Sequence, residues 1–391
     1  MAIVAQKHRK KPGKLLKRIR AAMESGNKAK ARRLTLIWLR SFEAKRLCVR
    51  LACRKMKLHL RPKNSERDVI AGRLDPWRGT GEAVYVNRRS KEHQPDDYRH
   101  VMSFGIENRS LQYLLLLVLR ELMPLHPSQY GTRGHGTHEA IETVLKAINE
   151  GYRWVIEYDI EEFFPSFDWK RVPDLVPLPR KVSEKVLLGK HLTLIGGYSL
   201  SGLFGREGDD DWFPDLLNAE LADARRGNPQ GSAVSPFLAA ALLADALYKI
   251  PELGIVVAFS DNLLLLAKSK DDAMAMSKGL WGALQAHPAG RLRPKVKRFD
   301  PGEPFDFLGH RLTPAMGKGR VDPSPRNKDK FEHRMKSRLR RLDKATLTPD
   351  QRARLIRKME KDVCSWTRGA FKLCHSIQNF RDNWLAKIPA S

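Results

Sequence analysis

The chain has 391 residues, 42% of them hydrophobic, and a formal net charge of +28. That length allows two or three domains with a sizeable core, and that charge points to a polyanionic partner. Residues 1–65 carry 21 Lys and Arg against 2 acidic residues, and residues 318–391 carry 20 against 8, so basic ends flank a near-neutral middle, unlike a histone-like or ribosomal protein that is basic throughout.

Residues 7–60 read as helices. Leu15, Ile19 and Met23 share one helical face, as do Leu36, Leu39 and Phe42, and Lys and Arg fill the others. Residues 61–98, with Pro62, Pro76, Gly79 and Gly81, read as a linker or as the start of the next domain. Tyr98–Phe104 reads as a strand, and Ile106–Leu122 as a helix with a Leu-rich core face. Its apolar run, Leu111–Leu119, is too short to span a bilayer, and the basic N-terminus lacks an apolar signal core. Cys48, Cys53, Cys364 and Cys374 match no zinc spacing and read as reduced, buried thiols of a cytoplasmic protein. His135 and His138 lack a third ligand nearby and read as no metal site.

Trp154–Ile160 is a β-rich segment bearing Asp159. Residues 171–225 read as a helical connection with an exposed loop, and the acidic run Asp209–Asp211 as solvated. The glycines of Arg226–Pro236 let backbone approach a ligand, and Ser235-Pro236 is expected to cap and start a helix, Phe237–Tyr248. Gly254–Ala267 places a polar Ser260-Asp261-Asn262 tip between two apolar runs, the pattern of a β-hairpin. Asp271–Leu284 is amphipathic and is expected to pack under the sheet; residues 326–391 read as basic helices.

A carboxylate at a buried hairpin tip must have its desolvation offset, and a metal ion does this for a lone Asp; Asp-Asn is equally at home in an ordinary solvent-facing turn. Asp159 on a second strand supplies the other half of a two-carboxylate site of the kind polymerases use to hold two Mg²⁺ ions.

Four motifs in order, DIEEFF from Asp159, NPQGSAVSP from Asn228, FSDN from Phe259 and FDFLG from Phe305, resemble those of bacterial reverse transcriptases, in particular group II intron-type enzymes and their stand-alone relatives. The resemblance implies an α+β right-hand polymerase with fingers, a ferredoxin-like palm and a helical thumb, preceded by a basic helical extension. The expected domains are residues 1–65 (extension), 66–317 (fingers and palm) and 318–391 (thumb). The implied activity is RNA-directed addition of dNTPs to a DNA or RNA primer. Its partners would be an RNA template, with a dedicated structured RNA as a further one, in an intron, a phage-defence system or another bacterial element.

By the same resemblance Asp159 and Asp261 hold two Mg²⁺ ions, with the Ile160 carbonyl completing a shell. Arg133, in a stretch similar to the fingers motif, binds the incoming triphosphate, and Arg99 assists. Phe164, or its neighbour Phe163, faces the sugar. Gln230 and Gly231 touch the templating base pair. Lys297, or Lys295, donates a proton to pyrophosphate, and FDFLG forms the primer grip. The family carries a second Asp where this chain has Asn262. The loss of a charge implies a higher Mg²⁺ requirement or a preference for Mn²⁺. The rival readings are a reverse-transcriptase-like RNA-binding protein without catalysis and a maturase-like splicing cofactor.

Overall fold

Apolar residues three and four apart write the first three helices, α1 (Pro12–Glu24), α2 (Lys28–Arg40) and α3 (Phe42–Cys53). The structure, a computed structural model, describes residues 12–91, 94–131, 135–197, 213–314, 318–343 and 347–389. Arg133 and the acidic run Asp209–Asp211 lie outside the described residues. The fold is mixed α+β and divides into two units, Met1–Pro127 with Ile160–Lys249 and Gly282–Pro294, and Ser128–Asp159 with Ile250–Trp281 and Lys295–Ser391.

In the first unit the N-terminal helices are not a detached arm. Leu15, Ile19 and Trp38 are buried against neighbours that include the Leu-rich α5 (Ile106–Leu122). Trp38 Nε1 donates to the Leu114 carbonyl at 2.8 Å, and Arg20 pairs with Glu121 at 2.6 Å. Of the two readings of residues 61–98, a linker or the start of the next domain, the structured one holds: the segment forms α4 (Asn64–Arg73) and β1 (Val84–Lys91), which pairs antiparallel with β2 (Gln94–Ser103). A short β5 (Leu194–Gly196) runs parallel to β1 on its other side. Val84, Val86, Met102 and Leu194 make a small core with Leu221 and Ala224 of α9 (Phe213–Ala224). On α9 the buried Glu220 gathers Arg88 at 3.2 Å, Tyr98 Oη at 3.0 Å and His100 Nε2 at 2.6 Å, so this carboxylate is satisfied by the hairpin.

Ser235 is not the cap of the next helix, α10 (Ser235–Leu247): Val234 occupies that position without a side-chain cap, and Ser235 is buried inside the first turn. Pro236, which lacks a donor, still sits where the helix leaves N–H groups unpaired. His287 is buried in this unit. Its Nε2 lies 3.0 Å from the Leu242 carbonyl, and its Nδ1 accepts from the Ala289 N–H at 3.2 Å. Burial pushes its pKa down, and a second ring proton would face the Ala289 N–H. The native state thus takes up fewer protons than the unfolded chain, so stability falls as pH drops below about 6.5. Urea midpoints are expected to fall between pH 7 and pH 5, and His287→Gln to shrink that fall.

The second unit carries a five-stranded sheet in the order β3-β6-β7-β4-β8: β3 is Gln129–Tyr130, β4 Trp154–Glu161, β6 Gly254–Phe259, β7 Asn262–Ala267 and β8 Arg293–Phe299. Strand alternation gives it two faces. Val155, Val257, Leu264 and Leu266 meet Ile141 and Val144 of α6 (Thr137–Asn149) in one core. On the other face Tyr158 Oη bonds Ser277 Oγ at 2.6 Å, which seats α11 (Lys270–Gln285) under the sheet as its amphipathic pattern predicts. A second small sheet, β11-β10-β9 (Arg320–Pro323, His310–Thr313, Phe305–Phe307), follows. Helices α12 (Pro325–Leu342), α13 (Pro349–Cys364) and α14 (Ile377–Leu385) close on their own core of Phe331, Met335, Ile356, Met359 and Trp384. Among the described residues no helix is long and apolar enough to cross a membrane.

Candidate active site

The site lies where the α6 face of the five-stranded sheet turns from apolar to polar. Along β4 the residues on that face run Val155 (buried), Glu157 (half-buried) and Asp159 (exposed). Ladder register sets Asp159 directly opposite Asn262, and Asn262 opposite Phe259, so the three share one face. Between Phe259 and Asn262 the chain reverses through Ser260 and Asp261 alone. Ser260 stands at a φ of 58°, in the left-handed region a two-residue hairpin loop demands of its first central residue.

The turn, not the ladder, aims Asp261. Asn262 Nδ2 donates to Asp261 Oδ1 at 3.0 Å, which brings the carboxylate to the face carrying Asn262 and Asp159. Burial pushes the Asp261 pKa up, and the charge of Asp159 pushes the same way; its own backbone N–H and the side chains of Ser260 and Asn262 oppose the rise. Among the described residues no Lys or Arg pairs with Asp159 or Asp261, and no group of three or more His, Cys, Asp and Glu is set to hold a metal ion. Two converging carboxylates without a cationic side chain, one of them desolvated, form an oxygen donor set that suits a hard divalent cation. The next residue on β4, Ile160, has a buried side chain and offers only its backbone.

Lys297 on β8 reaches Glu157 on neighbouring β4, Nζ to Oε2 at 3.7 Å. Burial pushes the Glu157 pKa up, Lys297 lowers it, and Asp159 and Asp306 raise it. The strand sequence alone assigns Glu157 no role; its partner stands on a strand far along the chain. Lys295, on the same strand, also has a partner. The stretch Ser128–Gly131 hydrogen-bonds along β6, with Tyr130 opposite Phe259. Gly131 has a φ of +84°, and a Cβ there would lie 3.2 Å from the Phe259 ring, so glycine lets the ring lie against the backbone. The FDFLG turn is braced by Asn327 Nδ2 and the Ser324 N–H, which donate to the Gly309 carbonyl at 3.0 and 2.9 Å.

The remaining predicted residues belong to the first unit. Phe163 is buried and packs edge-on against Phe167, whereas Phe164 is only half-buried, so of the two Phe164 is open to a ligand. The Phe164 carbonyl accepts from the Asn228 N–H at 2.9 Å, tying the two motifs together. Gln230 accepts through its carbonyl from the Met102 N–H at 2.7 Å, and Gly231 has a φ of +103° with Met102 O where a Cβ would be, at 2.2 Å. Arg99 is exposed on β2, opposite Arg89.

No family model and no curated protein matches the chain. Among solved structures, apo telomerase from Candida tropicalis is similar at a TM-score of 0.41, with 11% identity over 79% of this chain and 56% of that one. The same telomerase truncated from its C-terminal domain is similar at a TM-score of 0.34, with 10% identity over 62% and 55%. The chain spans a little over half the length of these telomerase chains.

Proposed function

We propose that the chain is an RNA-directed DNA polymerase of the right-hand type, adding dNTPs to a primer at Asp159 and Asp261. The observation that carries this reading is the ladder register that sets Asp159 opposite Asn262, with Asp261 turned to the same face. The five-stranded sheet with α6 and α11 is the palm, the β1–β2 hairpin belongs to the fingers, and the helices from Pro325 onward are the thumb. Asp159, Asp261 and the Ile160 carbonyl would hold two Mg²⁺ ions, which when bound activate the primer hydroxyl and stabilise the leaving pyrophosphate.

The chain's own residues supply position and charge. Lys297, held by Glu157, stands ready to give a proton to pyrophosphate. Arg133 and Arg99 take the triphosphate, which a guanidinium pairs in fork geometry. Phe164 borders the sugar, and Gln230 and Gly231 meet the templating base pair. A bacterial, group II intron-type lineage is the source to which the four motifs point, with a structured RNA as a partner and intron mobility or phage defence as settings. A second reading, RNA binding without chemistry, rests on one observation: Asn262 stands where a second carboxylate would. Extension of a primer on an RNA template with dNTPs, in Mg²⁺ and in Mn²⁺, separates the two.

RNA affinity is expected to fall steeply with salt, because bound Lys and Arg displace counterions. Lys14, Lys17 and Arg18 are exposed on α1, whereas Leu15 and Ile19 are core, so truncating the helix would confound the test. Replacing these three cations with Gln is expected to lower the log–log salt slope by about one for each phosphate left without its cation. An unchanged slope in a binding titration would show that α1 does not touch the nucleic acid.

A further inference from the structure

Asn262 differs from a carboxylate in one property besides charge: it donates. Its Nδ2 stands 3.0 Å from Asp261 Oδ1, and its backbone is fixed from both sides, by Phe259 on β6 and Asp159 on β4. Ser260, just before, accepts the left-handed φ of 58° that lets Asp261 turn back toward its neighbour, a strain a serine bears only where the surroundings impose it. Resting on the polymerase reading above, we propose that Asn262 is a positioning residue. It locks the Asp261 carboxylate toward Asp159 and presents a preformed cation site in which a neutral donor replaces a third acidic group.

The physical case is one of like charges. A carboxylate at 262 would stand beside Asp261 and opposite Asp159, and each ionised pair would repel until a cation arrived. The amide removes that repulsion and satisfies one oxygen of Asp261, so the side chain is ordered before the cation binds. Preorganisation of this kind gives back part of the affinity that the missing charge takes away.

The test is Mn²⁺ binding to the full chain without nucleic acid, followed by the electron paramagnetic resonance of free Mn²⁺, beside single-turnover primer extension at saturating Mn²⁺. Asn262→Ala removes the bond and adds no charge. It is expected to weaken Mn²⁺ binding and slow extension, each about three- to tenfold, the range of one ordinary net hydrogen bond. Asn262→Asp keeps the size but cannot donate. It is expected to bind Mn²⁺ at least as tightly as wild type yet to extend about three- to tenfold more slowly, a split that charge alone does not produce. If the alanine variant fails to fold, the aspartate variant decides. Wild-type binding and rate in Asn262→Ala, or a full rate in Asn262→Asp, overturns the proposal while leaving the carboxylate site standing. Asp159→Ala serves as the separate check: wild-type Mn²⁺ affinity in that variant, together with no extension by the unaltered chain, removes the polymerase reading and this proposal with it.

Discussion

If the proposed polymerase reading holds, replacing Asp159 or Asp261 with alanine is expected to abolish primer extension, by a factor of at least about a thousand, while RNA binding stays close to wild type. In the proposed site each carboxylate would be one of two charged ligands at the end of the sheet, and a cation displaced by a fraction of an ångström would lose the in-line arrangement on which phosphoryl transfer depends. On the proposed reading, affinity for RNA would come from Lys and Arg elsewhere. Asp261→Asn should also stabilise the cation-free protein. Burial and Asp159 raise the Asp261 pKa in the folded state, so the native chain holds that proton more tightly than the unfolded one, and stability is lost as pH rises through the window between the two values. A neutral side chain escapes that loss. Thermal unfolding at pH 7 in chelator should show Asp261→Asn melting a few degrees above wild type, and extension in Mg²⁺ or Mn²⁺ should be absent. Near-normal extension by either alanine variant would reject the assignment of the site.

The second large effect is structural and falls on Gly227. Its φ is +58°, and a Cβ there would lie 2.1 Å from the Phe164 carbonyl oxygen and 2.8 Å from the Pro165 backbone. These neighbours are main chain and cannot swing aside. That same carbonyl already accepts from the Asn228 N–H at 2.9 Å, so forcing it away also orphans a buried donor. Gly227→Ala is expected to lower stability by about 3 kcal/mol or more, read as a fall in urea midpoint. Gly72→Ala is the matched control. It lies in α4 with nothing within 4 Å of the new Cβ, and is expected to be neutral or to gain up to about 1 kcal/mol from helix propensity.

The hairpin and the strand of Asp159 were legible because alternation and turn chemistry act within a few residues, whereas Asn262, read as part of the polar tip, is the first residue of β7. Sequence proximity also exposed the α11 stripe under the sheet. Three features were hidden for one physical reason: they join elements distant in the chain or depend on backbone angles set by such neighbours. Glu157 reads as one more acid in a crowded segment until β8 brings Lys297 beside it. Glu220 gives no periodic signal, yet it anchors the β1–β2 hairpin through Arg88, Tyr98 and His100. The bond from Asn262 to Asp261 depends on a backbone angle at Ser260 that no residue preference for serine suggests. The segment of residues 61–98 read equally as a linker or as the start of a domain because Pro and Gly punctuate it. Short elements between such breaks, α4 and β1, are stabilised by the neighbours they pack on rather than by their own propensity.

Strand β7 has a consequence for how the chain acquires its shape. Leu263, Leu264, Leu265 and Leu266 are fully buried on both faces, between β6 on one side and β4 on the other. Such a run, free in solution, is a template for self-association. Its first partner is close by: the two-residue turn lets β6 and β7 zip within microseconds. Its second partner lies roughly a hundred residues upstream, a slow closure that the emerging polypeptide must hold in reserve. During synthesis β4 leaves the ribosome first and waits, and the interval before β7 joins it is when this leucine run is most exposed to aggregation. Soluble yield should therefore depend more on the speed of that one pairing than on the final stability of the protein.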